Sequence, residues 1–433
     1  MKICFLTLGC KVNQTESEAL AQLAVTEGYR VVKESEEPDV VVINTCTVTG
    51  TGSGKSRKLI RRIAKDHPSS MVAVMGCYSQ TNPGEVAGLA GVDLVIGTQD
   101  RRFIIEYLKQ AEEKGIKKMT ALSGVKSFEL ETDYEELPLI ENESRARAML
   151  KIQDGCSQFC TYCIVPYARG PSRSRKPENV IAEAKQLLKS GYKEIVLTGV
   201  HIGAYGKDIN EDIDLAGLVS KLVKLKGMTR LRLGSIEPME FTRELLEIAT
   251  DHQAVCHHFH IPLQSGSNAI LVKMKRPYTT EEYTLLLRKI RDRIPDAAIA
   301  ADIMTGFPGE TEKEHLDALR FIESCDFAGI HAFPYSRRPG TAAAKMPDQV
   351  VNSVKAARVR DIMMIGERSR KRYSQRFIGK TIEVLLERVG PDGTAKGHTR
   401  NYLELRLPSY LNTGKWQAGQ LINCIFREEY LLP

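Results

Sequence analysis

A chain of 433 residues, 42% of them hydrophobic and 27% charged, is long enough for about three domains with developed cores and is excluded from the low-complexity class. It contains no run of 18 apolar residues, so no membrane helix is expected, and a net charge of +7 permits nucleic-acid contact without requiring it. The first apolar stretch ends at Gly9-Cys10-Lys11 without a small-residue cleavage pattern, and ten cysteines in such a chain suit ligation in a reducing cytoplasm better than disulfides.

From the amino end, residues 2–8, 40–45 and 71–76 are short stretches rich in Ile, Val, Leu and Phe, separated by helix-like segments. They read as consecutive parallel strands of an open α/β sheet, and in such sheets ligands sit at the carboxyl ends of strands. Cys10, Cys46 and Cys77 each stand directly behind one of them. Three thiols at three strand ends can converge on one point, where they suit an iron–sulfur cluster or a thiophilic metal with one coordination position open. The structural alternative is a small buried residue at each strand end. Residues 93–97 repeat the strand pattern and 101–114 form a polar helix. Gly50-Thr51-Gly52-Ser53-Gly54-Lys55-Ser56 imitates a phosphate-binding loop, but that motif needs glycine at position 49, which is Thr49 here. The glycines are expected to form a flexible loop. Lys55, Arg57, Lys58, Arg61, Arg62 and Lys65 then mark a basic helix, either a solvated face or a surface for an RNA backbone. A first domain at 1–115 is followed by a linker at 116–144, which carries the acidic run 129–136 and lacks a helical apolar period.

Residues 145–371 alternate strands, at 148–152, 194–198, 229–233, 258–262, 298–305 and 329–333, with amphipathic helices, the pattern of a β/α barrel or partial barrel. Just after the first strand comes Cys156-Ser157-Gln158-Phe159-Cys160-Thr161-Tyr162-Cys163. This C-x3-C-x2-C run places three sulfurs in one compact loop, enough to hold a cubane cluster whose fourth iron is open to a small ligand. A structural zinc would want four protein ligands, and the next candidates are as far along as His201, Cys256, His257, His258 and His260. Cys4, Cys256, Cys325 and Cys424 carry only a structural reading. Residues 372–433 change character: strands at 381–389, 394–398, 402–407 and 421–426, punctuated by Gly390-Pro391-Asp392-Gly393 and Gly414, read as a small antiparallel barrel. Lys380, Arg388, Lys396, Arg400 and Arg406, with Tyr402 and Tyr410, supply the charge and stacking surface that single-stranded nucleic acid uses; an ordinary solvated barrel is the alternative.

The combination of Leu8-Gly9-Cys10-Lys11-Val12-Asn13-Gln14, Asn44-Thr45-Cys46-Thr47-Val48, Gly76-Cys77, the cysteine loop and Pro262-Leu263-Gln264-Ser265-Gly266-Ser267 resembles, over essentially the whole chain, the radical S-adenosylmethionine methylthiotransferases. The resemblance implies two [4Fe–4S] clusters. Cys156, Cys160 and Cys163 would hold the one that binds and cleaves S-adenosylmethionine, and Cys10, Cys46 and Cys77 the auxiliary one that handles sulfur. It implies a partial barrel for 145–371 and a TRAM RNA-binding domain for 372–433. Thr198, Gly199 and His201 would lie by the methionine amino group of the cofactor, Arg232, Ser235 and Glu237 by its carboxylate and ribose, with Gln264 and Ser265 similarly placed. For each of these a satisfied hydrogen bond at the barrel rim is the alternative, and Asp302, inside a strand, has a structural role open to it. The segment from Gly9 to Gln14 most resembles the bacterial MtaB-type branch. That branch implies methylthiolation at carbon 2 of N6-threonylcarbamoyladenosine, position 37 of tRNA, by a monomeric cytoplasmic enzyme that engages the anticodon stem-loop. Related branches act on isopentenyladenosine in tRNA or on an aspartate of a ribosomal protein. A tRNA-binding iron–sulfur scaffold without turnover is the reading from another class; the missing fourth protein ligand in both cysteine sets speaks against it.

Overall fold

The computed structural model describes residues 1–113, 125–128, 133–138, 146–209, 211–412 and 414–432, so most of the expected linker lies outside the described residues. The chain forms two compact units, one of Met1–Asn142, Gln153–Arg175 and Ser336–Ala344, the other of Glu143–Ile152, Lys176–Tyr335 and Lys345–Pro433. No helix among the described residues is long and apolar enough to cross a membrane.

The first unit is built on a five-stranded sheet of β1 (Lys2–Thr7), β2 (Arg30–Val31), β3 (Val40–Thr45), β4 (Met71–Gly76) and β5 (Leu94–Val95), ordered β2-β1-β3-β4-β5 and parallel throughout. Every residue of β3 is buried, as expected of a central parallel strand covered on both faces. Alternation divides the work. Val40 and Val42, with Ala73 and Met75, pack against helices Lys11–Thr26 and Ile104–Glu113, while Val41, Ile43, Val72 and Val74 pack against helix Gly50–Asp66. That last helix corrects the expectation of a flexible glycine loop at 50–56. Thr49, the residue that spoils the phosphate-loop motif, caps the helix by accepting the Gly52 N–H at 3.0 Å, and the cap offsets the helix-weakening glycines. On its outer face Arg57 pairs with Glu85 at 3.3 Å and Arg62 with Glu34 at 3.0 Å. The chain then runs through β6 (Ala148–Lys151), which belongs to the second unit, and returns to the first as an antiparallel pair, β7 (Gln153–Asp154) and β8 (Arg173–Ser174), that brackets the cysteine loop.

In the second unit β6 is joined by β9 (Glu194–Thr198), β10 (Arg230–Arg232), β11 (His258–His260), β12 (Ala298–Thr305) and β13 (Gly329–Pro334). Two parallel three-stranded sheets, β10-β9-β6 and β11-β12-β13, are stitched together by the bridges Leu231↔Val255 and Ser235↔His260, giving six parallel strands in the order β6-β9-β10-β11-β12-β13, an open partial barrel. Ile195, Leu197, Leu231, Phe259, Ile299 and Ile303 point outward into the core shared with helices Pro177–Lys189, Leu215–Val223 and Thr280–Arg293, so the residues between them face the concave side. After the long helix Asn352–Gln375 come β14 (Thr381–Val389), β15 (Ala395–Thr399), β16 (Glu404–Leu407) and β17 (Leu421–Ile425), an antiparallel sheet ordered β16-β15-β14-β17 whose far edge is extended by the bridge Leu405↔Leu431.

The turn between β15 and β16 closes the amino end of the barrel. Glu194, at the start of β9, accepts from Arg232 Nε and lies equally close to Arg230 Nε, both at 2.7 Å. Over them sits Tyr402, held at φ +65°. Its ring stacks on His398 at 4.5 Å, lies 4.6 Å from the His258 ring and has the Arg232 guanidinium 4.7 Å from its centroid.

Candidate metal centres and nucleoside-facing residues

Sheet order alone brings the first three cysteines together, because β1, β3 and β4 are neighbours and each thiol follows a carboxyl end. Gly9, at φ +120°, turns the chain so that Cys10 becomes the residue preceding helix Lys11–Thr26; Cys46 follows β3 directly; and Cys77 opens helix Cys77–Thr81 after Gly76, at φ +98°. Both glycines are required. A Cβ at position 9 would lie 3.1 Å from the Cys46 Cβ, and one at position 76 would lie 2.4 Å from Asn44 Oδ1. Neighbouring strands thus deliver all three thiols to the carboxyl end of one sheet. Burial pushes the Cys77 thiol up to about 12 and raises Cys46 as well, so a thiophilic group entering here must displace protons.

Each donor set is three soft thiols, which fit an iron–sulfur cluster with one iron lacking a protein thiolate, whereas a structural zinc would want a fourth protein ligand.

Around the first trio lies a buried ionic network that no sequence rule singled out. Arg169 is fully buried, and its guanidinium donates to Glu16 Oε1 at 2.8 Å, Asp154 Oδ1 at 2.9 Å, Asn13 Oδ1 at 2.7 Å and Glu16 Oε2 at 3.2 Å. Arg101 bridges the same two carboxylates, donating to Asp154 at 3.3 Å and pairing with Glu16. Asn13 in turn donates to the Leu8 and Thr45 carbonyls at 3.1 and 3.0 Å, tying the turn at Cys10 to the turn at Cys46. Desolvation opposes a charged Arg169, yet its interactions with Cys77, Glu16 and Asp154 raise its pKa well above the usual value. A second buried cation, Arg338, donates to Ser53 Oγ at 2.8 Å and to Thr47, and also senses Cys46. Positive charge at a thiolate site favours the ionised ligands that a metal needs.

The second trio is held by backbone. Cys156 donates its N–H to the Gly170 carbonyl at 3.0 Å, and Cys163 to the Cys160 carbonyl at 2.9 Å. Gly155, at φ +72°, leaves no room for a Cβ, which would fall 1.8 Å from the Pro171 carbonyl oxygen. The Val165 N–H points at the Cys163 sulfur at 3.4 Å, the kind of contact that tunes a cluster ligand. Of the remaining cysteines, Cys4, Cys256 and Cys325 are buried and Cys424 is half-buried, and burial raises Cys4 to about 11 and Cys325 to about 12.

In the second unit the residues expected to face a nucleoside cofactor lie at the carboxyl ends of β9, β10 and β11, with one exception. Thr198 ends β9, and its carbonyl accepts the Ile152 N–H at 2.9 Å; Gly199 follows it. His201 Nε2 is 2.7 Å from Glu240 Oε2, and Lys207 donates to the other oxygen at 2.8 Å. Burial works against the Glu240 charge, but these two partners hold its carboxyl below the usual range. Ser235 is exposed, Glu237 pairs with Arg276, and the Ser265 hydroxyl accepts the Ser267 N–H at 3.2 Å. Gln264 adopts φ +64°, and its buried Oε1 has no hydrogen-bond partner. Arg232 is the exception. It ends β10, but its guanidinium turns back to the amino end of β9, where Glu194 and the Thr399 and Arg400 carbonyls, at 3.2 and 3.0 Å, account for it.

Comparison with known proteins places these sites in context. Residues 150–322 match the Radical SAM superfamily and residues 2–97 match the Uncharacterized protein family UPF0004. The chain is 42% identical over 408 residues to a threonylcarbamoyladenosine tRNA methylthiotransferase, MtaB, of Bacillus subtilis, covering 93% of this chain and 89% of that protein. It is 37% identical over 411 residues to a tRNA-2-methylthio-N(6)-dimethylallyladenosine synthase of Pelotomaculum thermopropionicum, covering 92% and 90%. Among solved structures, the radical S-adenosylmethionine methyltransferase TsrM from Kitasatospora setae shares the fold, with a TM-score of 0.59 at 17% identity over 79% of this chain and 76% of that one. With its two three-cysteine sets, partial barrel and full-length similarity, this chain belongs to the radical S-adenosylmethionine tRNA methylthiotransferases.

Proposed function

We propose that this chain adds a methylthio group to carbon 2 of N6-threonylcarbamoyladenosine at position 37 of tRNA. The observation that carries the reading is the pair of three-cysteine sets, each one protein thiol short of a complete cluster. The substrate follows the Bacillus subtilis relative, the more similar of the two described above. Two [4Fe–4S] clusters and S-adenosylmethionine would supply the electron, the radical and the methylthio group. The protein's part is to bind, orient and shield. Cys156, Cys160 and Cys163 would hold one cluster and Cys10, Cys46 and Cys77 the other, with Arg169 and Arg338 compensating the charge of the Cys10, Cys46 and Cys77 set. Thr198, Gly199, His201, Ser235, Glu237, Gln264 and Ser265 would receive the cofactor; Arg232 fits a structural role better. Lys380, Arg388, Lys396 and Arg406, in a C-terminal sheet read as a TRAM domain, would meet the backbone of the anticodon stem-loop. A monomer working in the cytoplasm suits that task.

The test is a turnover assay. Anaerobically reconstituted enzyme is incubated with reductant, S-adenosylmethionine, a sulfide source and tRNA carrying threonylcarbamoyladenosine, and the digested nucleosides are weighed by mass spectrometry. A methylthio increment on that nucleoside, absent with Cys10→Ala or Cys156→Ala, is the expected result. An increment only on dimethylallyladenosine would move the chain to the other branch. Cluster-loaded protein that makes neither this product nor 5′-deoxyadenosine would refute catalysis and favour a tRNA-binding scaffold.

A further inference from the structure

The concave wall of the barrel carries a polar group that the reading above does not use. Phe259, Ile299, Ala301 and Ile303 point outward into the helix-packed core, so His260 and Asp302, like His331 on the neighbouring strand, lie on the inner face. Asp302 and His331 are register partners across β12 and β13, and His260 is paired with Ala300 on the other side. Asp302 Oδ1 is 3.1 Å from His260 Nε2 and 3.3 Å from His331 Nδ1, with the two rings edge to face at 5.6 Å. Burial alone would raise the Asp302 carboxyl, but the two imidazoles hold it far below the usual carboxylate range. The carboxylate is therefore held between two imidazole rings.

Two features make this group a site rather than a closed ion network. His331 is 71% exposed at its side chain against 28% for Asp302 and 19% for His260, so the group opens on one side. On the same wall the buried Gln264 Oε1 has no hydrogen-bond partner among the described residues. Gln264, strained at φ +64°, bridges to Ile303 and donates its N–H to the Asp302 carbonyl at 2.8 Å, so it belongs to the same patch. Two imidazoles around one carboxylate present ring N–H donors to the open side, which match a carboxylate. Threonylcarbamoyladenosine has such a carboxylate on its N6 substituent and dimethylallyladenosine has only a hydrocarbon there.

We propose that His260, Asp302 and His331 form a recognition station for the carboxylate of the substrate's threonylcarbamoyl group, with His331 making the contact and His260 and Asp302 positioning it. This rests on the substrate assigned under the proposed function. A charge-assisted hydrogen bond of about 1.5–3 kcal/mol corresponds to roughly 10- to 150-fold in affinity.

The test uses the reconstituted full-length enzyme with His331→Ala, at an exposed position, and Asp302→Asn as the shape-conserving second variant. Expected is a rise of roughly 10-fold or more in KM for threonylcarbamoyladenosine tRNA, with 5′-deoxyadenosine formation in the absence of tRNA within about twofold of the unaltered protein. Wild type should also prefer the nucleoside with a free threonyl carboxylate over its threoninamide analogue, and His331→Ala should lose that preference. Unchanged KM together with an intact acid-over-amide preference would overturn the station. So would stoichiometric binding of Zn²⁺ or Co²⁺ to wild type that His331→Ala abolishes, since the trio would then be a metal site. Failure of the wild type to modify this tRNA at all is a different result, and it sinks the substrate assignment together with the station.

Discussion

Replacing Arg169 by Met should be among the most damaging single changes available outside the cysteines. The guanidinium is fully buried and supplies four hydrogen bonds to Glu16, Asp154 and Asn13. Removing one member of a buried ion pair costs about 3–5 kcal/mol, because the carboxylates left behind stay desolvated. Arg101 still reaches both Glu16 and Asp154, which favours the low end, about 3 kcal/mol. At roughly 2–4 °C per kcal/mol, apoprotein carrying Arg169→Met should melt about 6–12 °C lower than the unaltered chain by circular dichroism. The charge argument makes a sharper demand on a double variant. Adding Glu16→Gln removes one stranded anion, so Arg169→Met/Glu16→Gln should recover at least about 1 kcal/mol relative to the sum of the two single changes. A loss below about 1 kcal/mol for Arg169→Met, or strictly additive effects, would refute the view that this network is held by charge rather than by shape.

Two further outcomes can be checked with simpler means. Gly76→Ala forces an L side chain to φ +98° with its Cβ 2.4 Å from Asn44 Oδ1; it should strip the first cysteine trio of its iron while leaving the 156–163 loop loaded, read as lower iron and sulfide per chain with 5′-deoxyadenosine formation retained. In the second unit, burial disfavours a charged His315, but Glu310 and Asp361 outweigh it and raise its pKa. The stabilisation is therefore complete below the unfolded histidine pKa and fades as pH climbs through the raised folded value, so between pH 6 and 8 His315→Gln should flatten the decline in melting temperature, and parallel curves would count against the linkage.

Much of the architecture was legible because burial leaves a period in the sequence. The run from Val40 to Thr45 is apolar on both faces, which only a central parallel strand tolerates, and the cysteine behind each such run follows from the rule that places ligands at strand ends. What stayed hidden depends on partners distant in sequence. Arg169 reads as the end of a short helix until its carboxylates, 153 residues upstream at Glu16 and 15 upstream at Asp154, are brought to it. Asn13 and Asn44 stood inside recognised motifs, yet nothing local shows that they stitch two turns together. Arg232 misled for a related reason. An arginine in a barrel strand looks the same at either end of the strand, and only the C-terminal sheet decides which carbonyls it meets. The glycines at 50–54 misled by composition, since a single threonine cap was enough to make them helical.

The Tyr402 plug changes how the last sixty or so residues should be regarded. A terminal module attached by a tether can be deleted, exchanged or grafted, but this one lends the barrel a ring that covers Arg232 and stacks on His258, together with main-chain oxygens that accept from Arg230 and Arg232. A truncation before Thr381 would uncap Glu194 and two arginines in the barrel's own interior, so loss of activity in such a fragment would report a broken catalytic scaffold as much as a missing RNA contact. Inheritance would then treat barrel and sheet as one piece, exchangeable only together.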